Sequence, residues 1–230
     1  NWPAGLGCRE KDNLNFPVIG PKWQNPATLG TSYGYMLEEE QQDAYKSATA
    51  LLHLLVDVVS KNGNLLLNIG PRADGTIPDG MRQRLLAMGE WLAVHGEAIY
   101  GTRCWKEYGE GPELFLGKGA SSDGEKAQRK PRTQLTPYTS ESIRFTQSKD
   151  GNSLYAIQLV WPDDGTTVIT RLGRRTGLLD RQIEDVSLLG AGGEVTWLLT
   201  DRGLELRTTA EKPNDHAYVW KIKLKHLALD

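Results

Sequence analysis

Cysteine is scarce in this sequence: Cys8 and Cys104 are the only two among 230 residues. Two cysteines so far apart define no disulfide framework, and no C-x-x-C spacing offers a metal site. Both read as free, semi-buried thiols, because unpaired cysteine packs as a small hydrophobe. Long apolar runs are missing too. None approaches the roughly 18–20 residues that span a bilayer, so no membrane partner is expected. Charge of one sign is also absent. Lys and Arg number 27 against 29 Asp and Glu, a formal net charge of -2, and the basic residues form no stripe. Nucleic acid is therefore not an expected partner either. The chain opens Asn1-Trp2-Pro3-Ala4 with no initiator Met, no charged n-region and no apolar h-region, and reads as the middle of a longer protein.

What is present divides the chain in two. Residues 1–35 are rich in Gly and Pro with no sustained period, which is loop grammar with room for one short strand. From Glu38 to Lys61 the pattern is helical, with Ala48, Leu51, Leu52, Leu55, Val56 and Val59 at spacings of three and four and Asn62-Gly63 as the stop. The run Asn64-Leu65-Leu66-Leu67-Asn68-Ile69, bounded by Gly70-Pro71, suits a strand buried on both faces of a parallel sheet. Ala73-Asp74-Gly75 is a turn. Pro78-Asp79 opens a second amphipathic helix that buries Met81, Leu85, Met88, Trp91 and Leu92. Helix, buried strand, turn, helix is the repeat of a β/α fold. About 100 residues hold only part of a barrel whose eight strands usually take ~250.

Beyond Tyr100-Gly101-Thr102 the grammar changes. Residues 117–134 have the composition of a solvated loop. Seven short apolar-alternating segments follow, from Ile143-Arg144-Phe145 to Trp220-Lys221-Ile222, separated by turns such as Asp150-Gly151 and Asp164-Gly165. They predict an antiparallel sandwich with Trp161, Trp197 and Trp220 in its core or, as the alternative, offered to sugar. The fold class expected is multidomain α/β plus all-β: a partial (β/α)8-like barrel over 1–103 and an antiparallel β-sandwich over 104–230, with the change falling near Thr102–Lys106.

The stretch from Leu54 to Pro78, with Asn62-Gly63-Asn64-Leu65-Leu66-Leu67-Asn68-Ile69-Gly70-Pro71 at its centre, resembles the α-L-fucosidase family of retaining glycoside hydrolases. Gly89-Glu90-Trp91-Leu92 through Gly96-Glu97-Ala98-Ile99-Tyr100 is similar to that family's last barrel helix. Thr31-Ser32-Tyr33-Gly34-Tyr35 is similar to its Ser-Trp-Gly-Tyr segment, with Tyr33 where Trp is usual. The likeness covers nearly the whole chain. It implies hydrolysis of terminal α-L-fucosyl residues of glycans by double displacement, with an Asp nucleophile and a Glu acid/base about 5–5.5 Å apart. It implies no cofactor, a fucosylated glycan as partner, and a periplasmic, secreted or lysosomal setting. The family's nucleophile belongs to the first half of the barrel, which this sequence does not contain, so that N-terminal half is expected as a partner.

For the acid/base the resemblance points to the loop Gly7-Cys8-Arg9-Glu10-Lys11-Asp12, and Glu10 is the candidate, the alternative being a solvated loop charge. The flanking Arg9 and Lys11 would lower its pKa if they approached it. Glu38, Glu39 and Glu40 are poorer candidates, because carboxylates opening a helix are explained by the macrodipole. Trp23 and Tyr33 fall in the region the resemblance gives to the sugar site, each either a platform for the apolar face of a deoxy sugar or a packing residue. Asn68, at the C-terminal end of a buried strand, either touches substrate or satisfies a turn backbone. His53 and His95 have no second ligand at metal spacing and read as structural, as do His216 and His226.

Overall fold

The computed structural model describes residues 7–8, 22–111 and 138–225. Three parallel strands open it: β1 (Gly7–Cys8), β2 (Trp23–Thr28) and, after the helices α1 (Leu37–Gln41) and α2 (Ala48–Ser60), β3 (Gly63–Asn68). The order is β1-β2-β3, with Trp23 opposite Gly63 and Thr28 opposite Asn68. Next come α3 (Asp79–His95) and the single turn α4 (Glu97–Tyr100).

The single helix expected over 38–61 is two. Asp43 takes a positive φ of 49°, which breaks the helical path, and α2 restarts where the Ser47 hydroxyl accepts the Ala50 N–H at 3.1 Å. Asn62, with φ of 68°, ends α2 in the left-handed conformation and turns the chain into β3. Gly63 then lies so close to the Trp23 ring that a Cβ there would meet it at 2.6 Å.

Alternation sorts the parallel sheet into two faces. Trp23 and Leu29, with Leu65 and Leu67, turn toward the helices and pack with Leu51, Leu52, Val56, Val58 and Met81, and Ala27 on the same face is buried. Gln24, Pro26 and Thr28, paired with Asn64, Leu66 and Asn68, form the opposite face, where Leu66 stays 52% exposed.

The remaining strands are β4 (Thr102–Glu110), β5 (Ile143–Ser148), β6 (Ser153–Gln158), β7 (Thr166–Ile169), β8 (Ile183–Leu188), β9 (Val195–Leu199), β10 (Leu204–Thr208) and β11 (Tyr218–Leu224). They make a five-stranded sheet, β4-β5-β6-β11-β8, and a three-stranded one, β7-β10-β9, all antiparallel. Between them lies a core of Trp105, Phe145, Leu154, Ile169, Leu204, Trp220 and Ile222, among others. Trp220 is fully buried and donates from Nε1 to Gln158 Oε1 at 3.0 Å, and Trp161 and Trp197 pack against this core. The only helical turns described within 140–225 are short 3₁₀ segments at 170–172 and 174–176.

The other face of the five-stranded sheet is covered as well. Tyr155, Ile157, Leu159 and Val219 pack against Leu51, Leu52, Met88, Trp91 and Ala98 of the helices. This explains why β5 and β6 are buried over successive residues rather than every second one. Polar links cross the same seam. The Arg144 guanidinium meets Asp57 at 2.5 Å, Asp57 also pairs with Lys61 at 2.9 Å, and Trp91 Nε1 donates to the Ala217 carbonyl at 2.9 Å.

Candidate active-site face

The C-terminal ends of β2 and β3 deliver the chain to one polar cluster. Lys46 lies beyond the end of β2 and donates to the carbonyls of Thr28 at 2.6 Å and Gly30 at 3.0 Å. Glu39 is buried, and its Oε1 accepts the Thr31 N–H at 2.7 Å together with the Thr31 hydroxyl. Asn68 closes the other side by donating from Nδ2 to the Tyr33 carbonyl at 2.7 Å. Gly70 permits a close backbone approach, since a Cβ there would meet the Gly34 carbonyl oxygen and the Tyr35 nitrogen at 2.9 Å. The segment 30–35 is thus held from several directions at the end of the strands where β/α barrels gather their chemistry.

A second tier lies beside it. The Glu40 carboxylate accepts from the Arg72 guanidinium and, at 2.7 Å, from the Tyr35 hydroxyl. Arg72, then Tyr35, hold the Glu40 carboxyl below the usual range, and the same contact pushes the Tyr35 phenol and the Arg72 guanidinium up. A carboxylate fixed in its charged form cannot donate a proton to a leaving group. Glu40 therefore braces the loop, and Glu39 does so through its hydrogen bonds from Thr31. The macrodipole alone does not account for Glu39 and Glu40, because each has a specific donor across the chain.

Of the residues singled out from the sequence, the structure brings together two. Asn68 touches Tyr33, and the Tyr33 ring is 44% exposed at the tip of the held segment. Trp23 is a correction. It begins β2, five residues before Thr28, so at roughly 3.3 Å per residue it lies at the opposite end of the strand from Tyr33. Its indole is 1% exposed, packs on Val58, Leu54 and Leu65, and donates from Nε1 to the Lys61 carbonyl at 2.8 Å. No ring face is left for a sugar. Glu10 lies outside the described residues, and what is described is that β1 ends at Cys8, two residues before it, paired with Gln24 of β2. The bracing set of Glu39, Glu40, Lys46 and Arg72 was missed. The one local hint was Arg72 following Gly70-Pro71 at a strand end.

Comparison with known proteins decides the family. Residues 5–97 match the family model described as α-L-fucosidase, and residues 136–225 match that of the α-L-fucosidase C-terminal domain. The chain belongs to the α-L-fucosidase family. It is 30% identical to an α-L-fucosidase of Dictyostelium discoideum over 96% of this chain and 43% of that protein. With the plasma α-L-fucosidase of Rattus norvegicus it shares 34% identity over 85% of this chain and 37% of the relative. Among solved structures, Thermotoga maritima α-fucosidase in complex with fucose superposes with a TM-score of 0.64 at 30% identity, over 89% of this chain and 40% of that one. α-L-Fucosidase isoenzyme 1 of Paenibacillus thiaminolyticus gives a TM-score of 0.68 at 25% identity, over 96% and 45%. The chain therefore spans about two fifths of the length of the fucosidases it matches, in their C-terminal portion: the end of the barrel and the sandwich.

Proposed function

We propose that this chain is part of an exo-acting α-L-fucosidase that hydrolyses terminal α-L-fucosyl residues of glycans with retention of configuration. One observation carries the reading. The ends of parallel strands converge on a rigidly held loop, while the carboxylates beside that loop, Glu39 and Glu40, are both engaged in bracing it. A retaining glycosidase needs one carboxylate to attack C1 and another to protonate the departing oxygen. The family resemblance implies that the attacking Asp belongs to the first half of the barrel, outside these 230 residues, and that Glu10, two residues past the end of β1, is the acid/base.

In this reading Glu10 first gives its proton to the leaving oxygen, then takes one from the water that cleaves the glycosyl-enzyme. The exposed ring of Tyr33 offers an apolar surface to the C–H face of the deoxy sugar, and Asn68 fixes the backbone that carries it. Trp23 has no part in the site. Acid, base and nucleophile suffice without a cofactor. The missing N-terminal half would add strands beside β3 and cover Leu66, completing the barrel. The division we propose is 1–103 for the barrel portion and 104–230 for the sandwich.

The test is reconstitution. The 230-residue chain alone should not turn over an aryl α-L-fucoside, and co-expression with a polypeptide supplying the preceding barrel half should restore turnover. In the restored enzyme Glu10→Gln should depress hydrolysis of natural glycans by orders of magnitude and of activated aryl fucosides less, with azide rescuing the latter. Turnover by the purified chain alone would show that the nucleophile lies within it.

A further inference from the structure

The described histidines, His53, His95 and His216, all meet at the seam between the helices and the sandwich, and all three engage the short segment Asn214–Ala217 that leads into β11. From α2, His53 Nε2 faces the His216 carbonyl at 2.9 Å, and the Thr49 hydroxyl lies 2.8 Å from His216 Nδ1. From α3, Trp91 donates to the Ala217 carbonyl and His95 Nε2 lies 3.2 Å from Asn214 Nδ2.

The proton on His95 can be placed by elimination. Asn214 Oδ1 accepts the N–H groups of His216 at 2.8 Å and Ala217 at 3.1 Å, so its Nδ2 is the donor end. His95 Nε2 must then be the lone-pair acceptor and Nδ1 carries the hydrogen. The ring is 2% exposed, lies 4.8 Å from the Trp91 ring, and its Nδ1 has no hydrogen-bond partner. A second proton would have to go onto Nε2, where it would face the Asn214 amide hydrogens.

Among the described residues no carboxylate is turned to the ring to receive that charge. On α3 and α4, Glu90 is exposed and Glu97 is held by Lys221 and Tyr155. On the sandwich side, Asp215 pairs with Lys212, Glu211 is exposed, and Gly190 closes over the ring edge. From α2, His53 and the Arg144–Asp57 pair belong to the same seam.

We infer that Asn214–Ala217 is an acid-released clasp, closed on α2 and α3 while His95 is neutral and released when His95 takes a proton at Nε2. Burial holds the His95 imidazole down at about 4, and burial also lowers His53, with the carbonyls of His216 and Leu159 partly opposing. The sign follows from linkage. A released His95 returns to its ordinary value of about 6.5 and binds protons that the closed form refuses. Closure is thus at full strength above about 6.5 and weakens, by up to about tenfold per pH unit, until the pH reaches about 4. The three described histidines all lie at the seam, so the core between the two sheets should outlast it.

Hydrogen exchange on the full chain tests this, compared from pH 7 to pH 4.5 after correction for the intrinsic rate. The end of α3 and residues 212–220 should lose protection on acidification by up to about a hundredfold, while β10 keeps its own. His95→Gln, which retains an acceptor for Asn214 but no titration, should flatten the loss. Asn214→Asp, which sets a carboxylate against Nε2, should let the seam stay closed in acid. Equal loss in β10, an unchanged slope in His95→Gln, or, where that variant does not fold, an unchanged slope in Asn214→Asp, overturns the clasp.

Discussion

Replacing Asp57 with Ala removes the anion at the centre of the helix–sandwich seam. Asp57, Lys61 and Arg144 are 3%, 2% and 1% exposed, so the change takes away a carboxylate that Arg144 and Lys61 share out of reach of water. Removing one partner of a buried pair costs about 3–5 kcal/mol, because the remaining charge is stranded. The surroundings argue for the lower end. Arg144 keeps the carbonyls of Ile143 at 3.1 Å and Glu110 at 3.3 Å, with the rings of Tyr108 and Tyr138 each 5.5 Å from its guanidinium. Lys61 keeps the Tyr108 ring at 4.6 Å. We expect a loss of about 3 kcal/mol, which at roughly 2–4 °C per kcal/mol for a chain of this length lowers the melting temperature by roughly 6–12 °C. Urea denaturation and calorimetry measure it. The triple change Asp57→Leu, Lys61→Met, Arg144→Met removes all three charges and should be more stable than Asp57→Ala alone. A loss under about 1 kcal/mol for Asp57→Ala, the size of an exposed ion pair, refutes the reasoning.

Trp23→Phe removes the indole N–H that satisfies the Lys61 carbonyl and should cost about 1–3 kcal/mol in urea denaturation, with KM for an aryl fucoside unchanged in the reconstituted enzyme. Glu40 has a lowered folded pKa, so its hold on the 33–35 segment is present above the ordinary carboxylate range and is lost as pH falls through the lowered value. In Arg72→Gln that loss should begin at higher pH, read from limited proteolysis at the Tyr33 loop across an acid series.

Element type was legible wherever one periodicity dominated. The run Leu65-Leu66-Leu67 between Asn62-Gly63 and Gly70-Pro71 fixed β3, and the seven sandwich segments each found their strand. β2 was obscured by Pro26, which lacks the N–H a strand interior normally uses, and by the surrounding Gly-Pro loop grammar. The break between α1 and α2 depends on Asp43 adopting a positive φ, a choice no periodic pattern records. At the site, Tyr33 and Asn68 could be paired only loosely through the resemblance, whereas the bracing by Glu39, Glu40, Lys46 and Arg72 joins segments up to 32 residues apart. Trp23 went astray for a related reason. The resemblance gives the whole loop-rich region to the sugar site, yet a strand stands between Trp23 and Tyr33, and a strand's two ends belong to opposite faces of a barrel.

The burial of both faces of the five-stranded sheet changes what each part of the chain can do alone. The sequence pattern divides the chain into a partial barrel followed by a sandwich, with nothing to say how far each supports the other. The structure makes the dependence mutual. Tyr155, Ile157, Leu159 and Val219 project from β6, β11 and the residue following β6 into the helical core, and without α2 and α3 they would form a contiguous apolar face on the sandwich. The helices in turn bury Leu51, Leu52, Met88 and Trp91 against that face, so part of the packing that a closed barrel would share among its neighbours is met here by the sandwich. The seam also carries the Asp57–Arg144 pair, and a charge buried there is tolerable only while both sides are present. The opposite face of β2 and β3, where Leu66 is exposed, is the one that the sandwich and the helices leave open among the described residues. On this argument the sandwich keeps α2, β3 and α3 in register, and with them the 30–35 segment held at the ends of β2 and β3.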